Sequence, residues 1–371
     1  MNDSLLRSSV SLITGLQTPD GAYPASPTFS AYQGYCWFRD GSFITDAMSS
    51  VGEVDSAEAF FTWCDRVVLR HQDRIEAAID AACQGRPLPD SQMLPARFTF
   101  DGDIGGDDWW DFQLDGYGTW LWAVVEHCRR HDRDHGRWKQ SINLTAEYLV
   151  SSWKRPCFDW WEEHCEQVHV STLGCIAAGL RAVSVSGVLG TASSAKCGGV
   201  ADEILAMITI QGVRDGSLVK WLGSDCVDGS LSALLSPLAI IDPLSPVGQE
   251  TIRRIEADLV VDHGVYRFRE DVFYGGGRWP LLSCFLGLAK SACGVHEQAH
   301  EYLEWAMGTA TDQGLLPEQV DGGELLYPEH KQDWINRWGP VATPLLWSHA
   351  MVLRLASELG DNIANKSGGR S

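Results

Sequence analysis

Basic residues are scarce in this sequence: 29 Lys and Arg stand against 49 Asp and Glu, a formal net charge of −20. A field of that sign repels phosphate backbones and anionic headgroups, which argues against nucleic acid and membrane surfaces as partners. Long apolar runs are absent too. The best stretch, 172–190, is broken by Arg181 and by several serines and glycines, so no membrane-spanning helix is expected. No proline- or serine-rich linker divides the chain, and residues 1–360 are therefore read as a single domain. Only the polar, glycine-rich stretch 361–371 is expected to form a flexible tail. The 11 cysteines are odd in number and form no Cys-x-x-Cys, so at least one is unpaired, which favours a reducing compartment over a disulfide framework. Asp3 and Arg7 interrupt what a signal peptide would need as its apolar core, so a cytoplasmic protein is expected. The histidines are read as giving no metal site. Gly-x-Ser-x-Gly is missing, and Gly275-Gly276-Gly277 has no Lys-Ser/Thr after it, so neither a hydrolase elbow nor a phosphate cradle is expected. No metal or organic cofactor is expected.

What the chain does have is tryptophan, 16 in all, more than a core of this size requires. Such a surplus suggests flat apolar walls around a ligand. Helical periodicity dominates, and strand-like alternation is confined to pieces such as 264–269. Twelve helical segments are expected, near 4–16, 41–52, 55–84, 116–132, 135–154, 170–188, 198–211, 229–236, 247–260, 279–293, 295–310 and 341–359. Junctions after even-numbered segments are tight, and those after odd-numbered ones are long: 17–40, 85–115, 155–169, 212–228, 261–278 and 311–340. Helical hairpins closed into a ring give that alternation and send every long loop to one end. A two-layer helical solenoid gives a similar pattern.

Five clusters, four of them aromatic-acidic, occupy those long loops: Tyr35–Asp40, Asp107–Gly116, Phe158–Glu163, Tyr266–Phe273 and Leu315–Gln319. Taken singly each has a plain reading. Arg39-Asp40 can be an ion pair at a helix start, Asp115-Gly116 a helix start, and Glu162-Glu163 a solvated pair. Their repetition at one topological position changes the weight. Carboxylates beside indole rings suit sugar hydrolysis, in which one carboxyl keeps a proton for the leaving oxygen and another stays ionised to activate water. Aromatic faces meet the C–H face of a pyranose, and acids with arginine bind its hydroxyls.

In order, the clusters resemble glycoside hydrolase family 15, the glucoamylase family, from about residue 31 to 356. Asp159-Trp160-Trp161-Glu162-Glu163 is similar to the family's Asp-x-Trp-Glu-Glu, which implies Glu162 as general acid and Glu163 as a sugar ligand. Trp37-Phe38-Arg39-Asp40 resembles Trp-x-Arg-Asp, whose Arg and Asp hold hydroxyls of the terminal glucose. Arg267 with Glu270-Asp271 resembles Arg-x-x-Glu-Asp, with the arginine on sugar, and Glu318-Gln319 ahead of Trp347-Ser348 resembles the pair carrying the general base. Trp109, ahead of Asp115-Gly116, stands where the family has a loop tryptophan over the acid. The resemblance implies an (α/α)6 toroid, an all-α fold, with the site in the loops at one end.

The chain also departs from the fungal pattern. Gln33 stands where fungal members have a water-holding tyrosine, leaving Tyr32 or Tyr35 for that task. Gly275-Gly276-Gly277 replaces an Asn-Gly-Asn that shapes the pocket beyond the first glucose. With no starch-binding module, the chain is most like the small single-domain isomaltose glucohydrolases. The resemblance thus implies an inverting exo-α-glucosidase that releases β-glucose from short α-1,6 oligosaccharides, with Glu162 as acid, Glu318 as base, and Trp37, Arg39, Asp40, Trp109, Trp161, Glu163 and Arg267 as substrate ligands. Trp109, Trp110 and Trp160 are expected to form a narrow mouth. The alternatives are an α-1,4-specific glucoamylase, a trehalase-like α-glucosidase, an inverting phosphorylase on the same toroid, and a non-catalytic sugar-binding or regulatory domain.

Overall fold

Burial sorts the helices into two classes before any topology is traced. In the computed structural model, which describes residues 2–109 and 112–361, some helices are buried on nearly every side and others along one stripe. The first class holds α2 (Phe38–Ser50), α5 (Asp115–His131), α7 (Val170–Ser186), α9 (Ser232–Leu235), α11 (Pro280–Ala292) and α14 (Leu346–Glu358). The second holds α1 (Asn2–Leu16), α3 (Val54–Arg70), α6 (Lys139–Ser152), α8 (Thr191–Gln211), α10 (Pro246–Leu259) and α12 (His296–Gly308). On α8 only Cys197, Ala201, Ile204 and Ile208 are buried, spaced as one face of an outer helix. Two further helices, α4 (Gln72–Cys83) and α13 (Lys331–Trp338), complete the helices of the described residues.

The fully buried helices pack in the cyclic order α2, α5, α7, α9, α11, α14 and back to α2, each backed by one outer helix. This is the expected (α/α)6 toroid. Two long-range contacts seal its seam. Asp46 on α2, 1% exposed, accepts from Arg130 on α5 at 2.8 Å and from Arg354 on α14 at 3.0 Å. Ser9 on α1 bonds His349 on α14 at 2.8 Å. Every inner helix follows a long loop, so all six begin at the same end of the ring. Short antiparallel ribbons stiffen that end: β1 (Tyr35–Trp37) pairs with β2 (Arg97–Thr99), β3 (Val213–Arg214) with β4 (Ser217–Leu218), and β5 (Val260–Val261) with β6 (Gly264–Tyr266) and β7 (Arg278–Trp279).

Several expectations need correction. The segment expected at 55–84 is two helices, because His71 leaves the helical path to bond the Gly102 carbonyl at 2.9 Å and stack on Phe98. The segment at 229–236 is a 3-10 turn followed by the single turn of α9. The loop expected at 311–340 contains α13, whose Trp334 and Trp338 lie four residues apart on one face. His296-Glu297-Gln298-Ala299-His300 on α12 has the His-Glu-x-x-His spacing of a metal-binding helix. There His296 bonds Ser291, and His300 bonds the His296 carbonyl. No group of three metal-ligating side chains forms among the described residues. The tail expected at 361–371 lies almost wholly outside the described residues. All eleven cysteines are unpaired, and no helix among the described residues is long and apolar enough to cross a membrane.

Close approach of α5 and α7 depends on two glycines. A Cβ on Gly118 would lie 2.4 Å from the Cys175 carbonyl oxygen, and one on Gly179 would lie 2.3 Å from that of Gly118. Gly118→Val is expected to lower unfolding free energy by about 1–3 kcal/mol or more, the cost of overpacking. Gly199→Ala on α8, where a Cβ meets nothing within 4 Å, should be neutral or stabilising. Urea denaturation of both variants checks the contrast.

Candidate active site

The loop that presents Glu162 is built around one aspartate. Asp159 Oδ1 accepts the backbone N–H groups of Trp161 and Glu163, each at 2.9 Å, while the Glu162 N–H donates to the Asp159 carbonyl at 3.0 Å. The turn forces Glu162 to φ 64°, a left-handed conformation costing about 1–2 kcal/mol for a residue with a Cβ. Strain of this kind persists where surrounding contacts hold it. Here Trp37 donates its indole N–H to Glu162 Oε1 at 2.7 Å. Trp161 is fixed from below by its N–H to Asp228 Oδ2 at 2.9 Å.

Arg39 and Asp40 open α2. Arg39 donates to Gln113 Oε1 at 2.6 Å and to Asp115 Oδ2, in the first turn of α5, at 3.0 Å. Its Nε lies 3.6 Å from Asp40 Oδ2. Burial pushes the Asp40 carboxyl up to about 6 even though Arg39 opposes the shift. Arg267 is clamped by both oxygens of Asp271, with Nε to Oδ2 at 2.8 Å, and reaches Glu163 Oε1 at 3.1 Å. Glu318, 3% exposed, accepts the Tyr32 hydroxyl on Oε1 at 2.8 Å. The backbone around it is tied to α14, where Ser348 donates to the Pro317 carbonyl at 2.8 Å and His349 Nε2 accepts the Leu316 N–H at 2.9 Å. Burial lowers the His349 imidazole to about 4, which keeps it a neutral acceptor.

These groups surround one cavity of about 310 Å³, which all nine sequence-derived site residues line: Trp37, Arg39, Asp40, Trp109, Trp161, Glu162, Glu163, Arg267 and Glu318. Loss of hydration raises both key carboxyls, Glu162 to about 7 and Glu318 to about 8, against the donors on Trp37 and Tyr32 and the charges of Arg39 and Arg267. The charge of Asp40 raises both, and that of Glu162 adds to the rise at Glu318. No hydrogen bond joins the two carboxyls. Trp37, the donor to Glu162, and Tyr32, the donor to Glu318, touch each other in edge contact at 5.3 Å. Glu318 Oε2 and the indole N–H groups of Trp279 and Trp347, on three residues that line the cavity, are buried with no hydrogen-bond partner in the protein.

Sequence reasoning missed several wall residues and misplaced others. Trp160 is 2% exposed and packs against Phe43, Phe285 and Trp347 deep in the ring, so it belongs to the floor, not the mouth. The mouth is made by Trp109, Val272, Phe273, Trp334 and Trp338, with Trp109 and Trp338 stacked at 5.9 Å. Trp110 lies outside the described residues. Trp109 is carried by buried Arg97, whose guanidinium lies 4.3 Å from its ring and 3.6 Å from that of Tyr35, and which pairs with Asp107 at 2.5 Å. Gly275-Gly276-Gly277 does not line the cavity. It receives the N–H groups of Leu326 and Tyr327 and donates one to Gln319, so it holds the Glu318 loop from behind. Gln33 is exposed and bonds Pro27, and the hydroxyl beside Glu318 is that of Tyr32.

The sequence profile of Glycosyl hydrolases family 15 matches residues 1–289. The isomaltose glucohydrolase of Kribbella flavida is 50% identical over 357 residues, covering 96% of this chain and 92% of its own. A trehalase of Thermoplasma volcanium is 24% identical over 393 aligned residues, covering 98% of this chain and 59% of its own. Among solved structures, a wild-type glycosidase superposes with a TM-score of 0.94 at 49% identity over 97% of both chains. A bacterial glucoamylase complexed with acarbose superposes with a TM-score of 0.76 at 20% identity, over 97% of this chain and 56% of its own, a likeness of fold.

Glu318 allows a test of this electrostatic picture without any substrate. An ordinary glutamate loses its proton near 4.5, whereas folding holds that of Glu318 until about 8. The unfolded chain therefore releases a proton that the folded chain retains, and stability from this group falls as pH rises through that window. Glu318→Gln removes the dependence. Its melting temperature relative to the wild type should climb between pH 5 and pH 9 in calorimetry, and a constant difference would contradict the raised proton affinity.

Proposed function

Because the chain belongs to glycosyl hydrolases family 15, and is thus a glycoside hydrolase, we propose that it is an inverting exo-α-glucosidase acting on isomaltose and short α-1,6 gluco-oligosaccharides. The observation that carries this reading is the pair Glu162 and Glu318. Both are dehydrated carboxyls on one cavity, each with its own donor, and the two donor rings touch. Glu162 donates its proton to the glycosidic oxygen. Glu318, beside the Tyr32 hydroxyl, takes a proton from water on the opposite face of the sugar. Water then attacks an oxocarbenium-like centre, and β-glucose is released. In the empty cavity burial holds protons on both carboxyls into the neutral range. Bound substrate divides the two roles, since the glycosidic oxygen accepts from protonated Glu162 while the attacking water donates to ionised Glu318.

The floor of the cavity supports an exo-acting site. Trp160 and Trp347 close the inner end of the ring, so only a chain terminus fits, with Arg39, Asp40, Glu163 and Arg267 on its hydroxyls and Trp37, Trp109 and Trp161 as walls. The α-1,6 preference rests on the Kribbella flavida relative, and the aromatic mouth of Trp109, Phe273, Trp334 and Trp338 suits a second sugar that is short and unbranched. We read residues 1–360 as one catalytic domain and place it in the cytoplasm, where eleven unpaired thiols persist.

Purified protein should hydrolyse isomaltose with higher kcat/KM than maltose, trehalose or starch, and NMR should detect β-glucose first. Early α-glucose would mean a retaining mechanism, and a higher kcat/KM on maltose or trehalose would overturn the linkage. Glu162→Gln should lower kcat on isomaltose by about 10²–10⁴ while glucose still binds in calorimetry. Near wild-type kcat would remove Glu162 from the reaction.

A further inference from the structure

Lys220 is a lysine with almost no water. Its side chain is 3% exposed, as are those of its two partners Asp159 and Asp228, and none of the three lines the cavity. The ammonium Nζ lies 2.6 Å from Asp228 Oδ2, 3.0 Å from Asp159 Oδ2 and 3.7 Å from the centre of the Phe268 ring. The ammonium thus meets a hydrogen-bond acceptor, an ion-pair partner and a ring face, one on each of three long loops. Each partner stands next to a group of the active site. Asp159 Oδ1 holds the backbone N–H groups on either side of Glu162, at Trp161 and Glu163. Asp228 holds the Trp161 indole, and its following residue, Gly229, donates to the Arg267 carbonyl at 2.8 Å. Phe268 adjoins Arg267.

We propose that Lys220 is a positioning residue for the glycosidase reaction: its single ammonium locks the Asp159, Asp228 and Phe268 loops together and thereby aims Glu162 at the glycosidic oxygen. The inference rests on the reading of Glu162 as proton donor. A buried cation serves here because two carboxylates face each other across it. An apolar side chain would leave them to repel, and the loop holding Glu162 at φ 64° would relax. A shift of about 1 Å in a reacting group costs about 10²-fold in rate. Water activation by Glu318 should be little affected, because its loop is held separately by Ser348, His349 and Ala342.

The two functions separate by leaving group. Isomaltose needs a proton on its departing oxygen, whereas fluoride leaves α-D-glucosyl fluoride with little protonic help. Lys220→Met is expected to lower kcat on isomaltose by about 10²-fold with KM changed less than about threefold, and to leave kcat on glucosyl fluoride within about threefold of wild type. Asp159→Asn, which keeps the shape and the Oδ1 acceptor, should show the same selectivity with a smaller loss, and it decides the matter alone if Lys220→Met does not fold by circular dichroism. Equal losses on both substrates, or no loss on isomaltose, would overturn the positioning role. A wild-type protein that releases glucose from neither substrate would instead remove the reading of the site itself.

Discussion

A carboxylate taken out of water loses far more hydration than any single hydrogen bond returns, so a buried one either finds a cation or keeps its proton. The loop end of this toroid uses both outcomes side by side. Asp115, Asp159, Asp228 and Asp271 each meet a buried cation, Arg39, Lys220 or Arg267. Glu162 and Glu318 instead receive one neutral donor apiece and hold their protons into the neutral range. The paired acids fix the geometry and the unpaired ones are left reactive. Remove the cations and the framework charges repel; supply cations to the two glutamates and neither retains a proton to give.

Most of this arrangement is legible in the sequence because its chemistry is local. A tryptophan beside a carboxylate within five residues announces a dry acid in three long junctions, and carboxylate clusters in five of the six announce one shared cavity. The resemblance to the glucoamylase family singled out nine residues within those loops, and all nine line one cavity. What sequence conceals is partnership across distance. Tyr32 reaches Glu318 over 286 positions, and Arg97 gains its meaning from Tyr35 and Trp109. Lys220 looks like any surface lysine until β4 and the turn after it tuck it beneath Phe268.

Helix boundaries show a similar division. Segments with a broad apolar face were placed within a few residues, since burial and periodicity agree there. The break at His71 and the short helix α13 escaped because tertiary contacts decide both. In α13 no residue is buried, so no core-facing stripe marks it, and its tryptophans face the cavity mouth instead. A helix that lines a ligand site has a periodicity addressed to the ligand and reads as irregular against the core.

The seam of the ring has a consequence for biosynthesis. Asp46 waits for Arg354, 308 residues later, and Ser9 for His349, 340 residues later. Entropy of loop closure rises only as the logarithm of length, so the finished chain closes readily. On the ribosome, however, the length is time. At about 5–20 residues per second, α2 emerges many seconds before α14 exists to cover it. During that interval the inner face of α2, including Phe43 and Met48, has no permanent neighbour on one side. The ring therefore stays open on the ribosome until its last helix has been made.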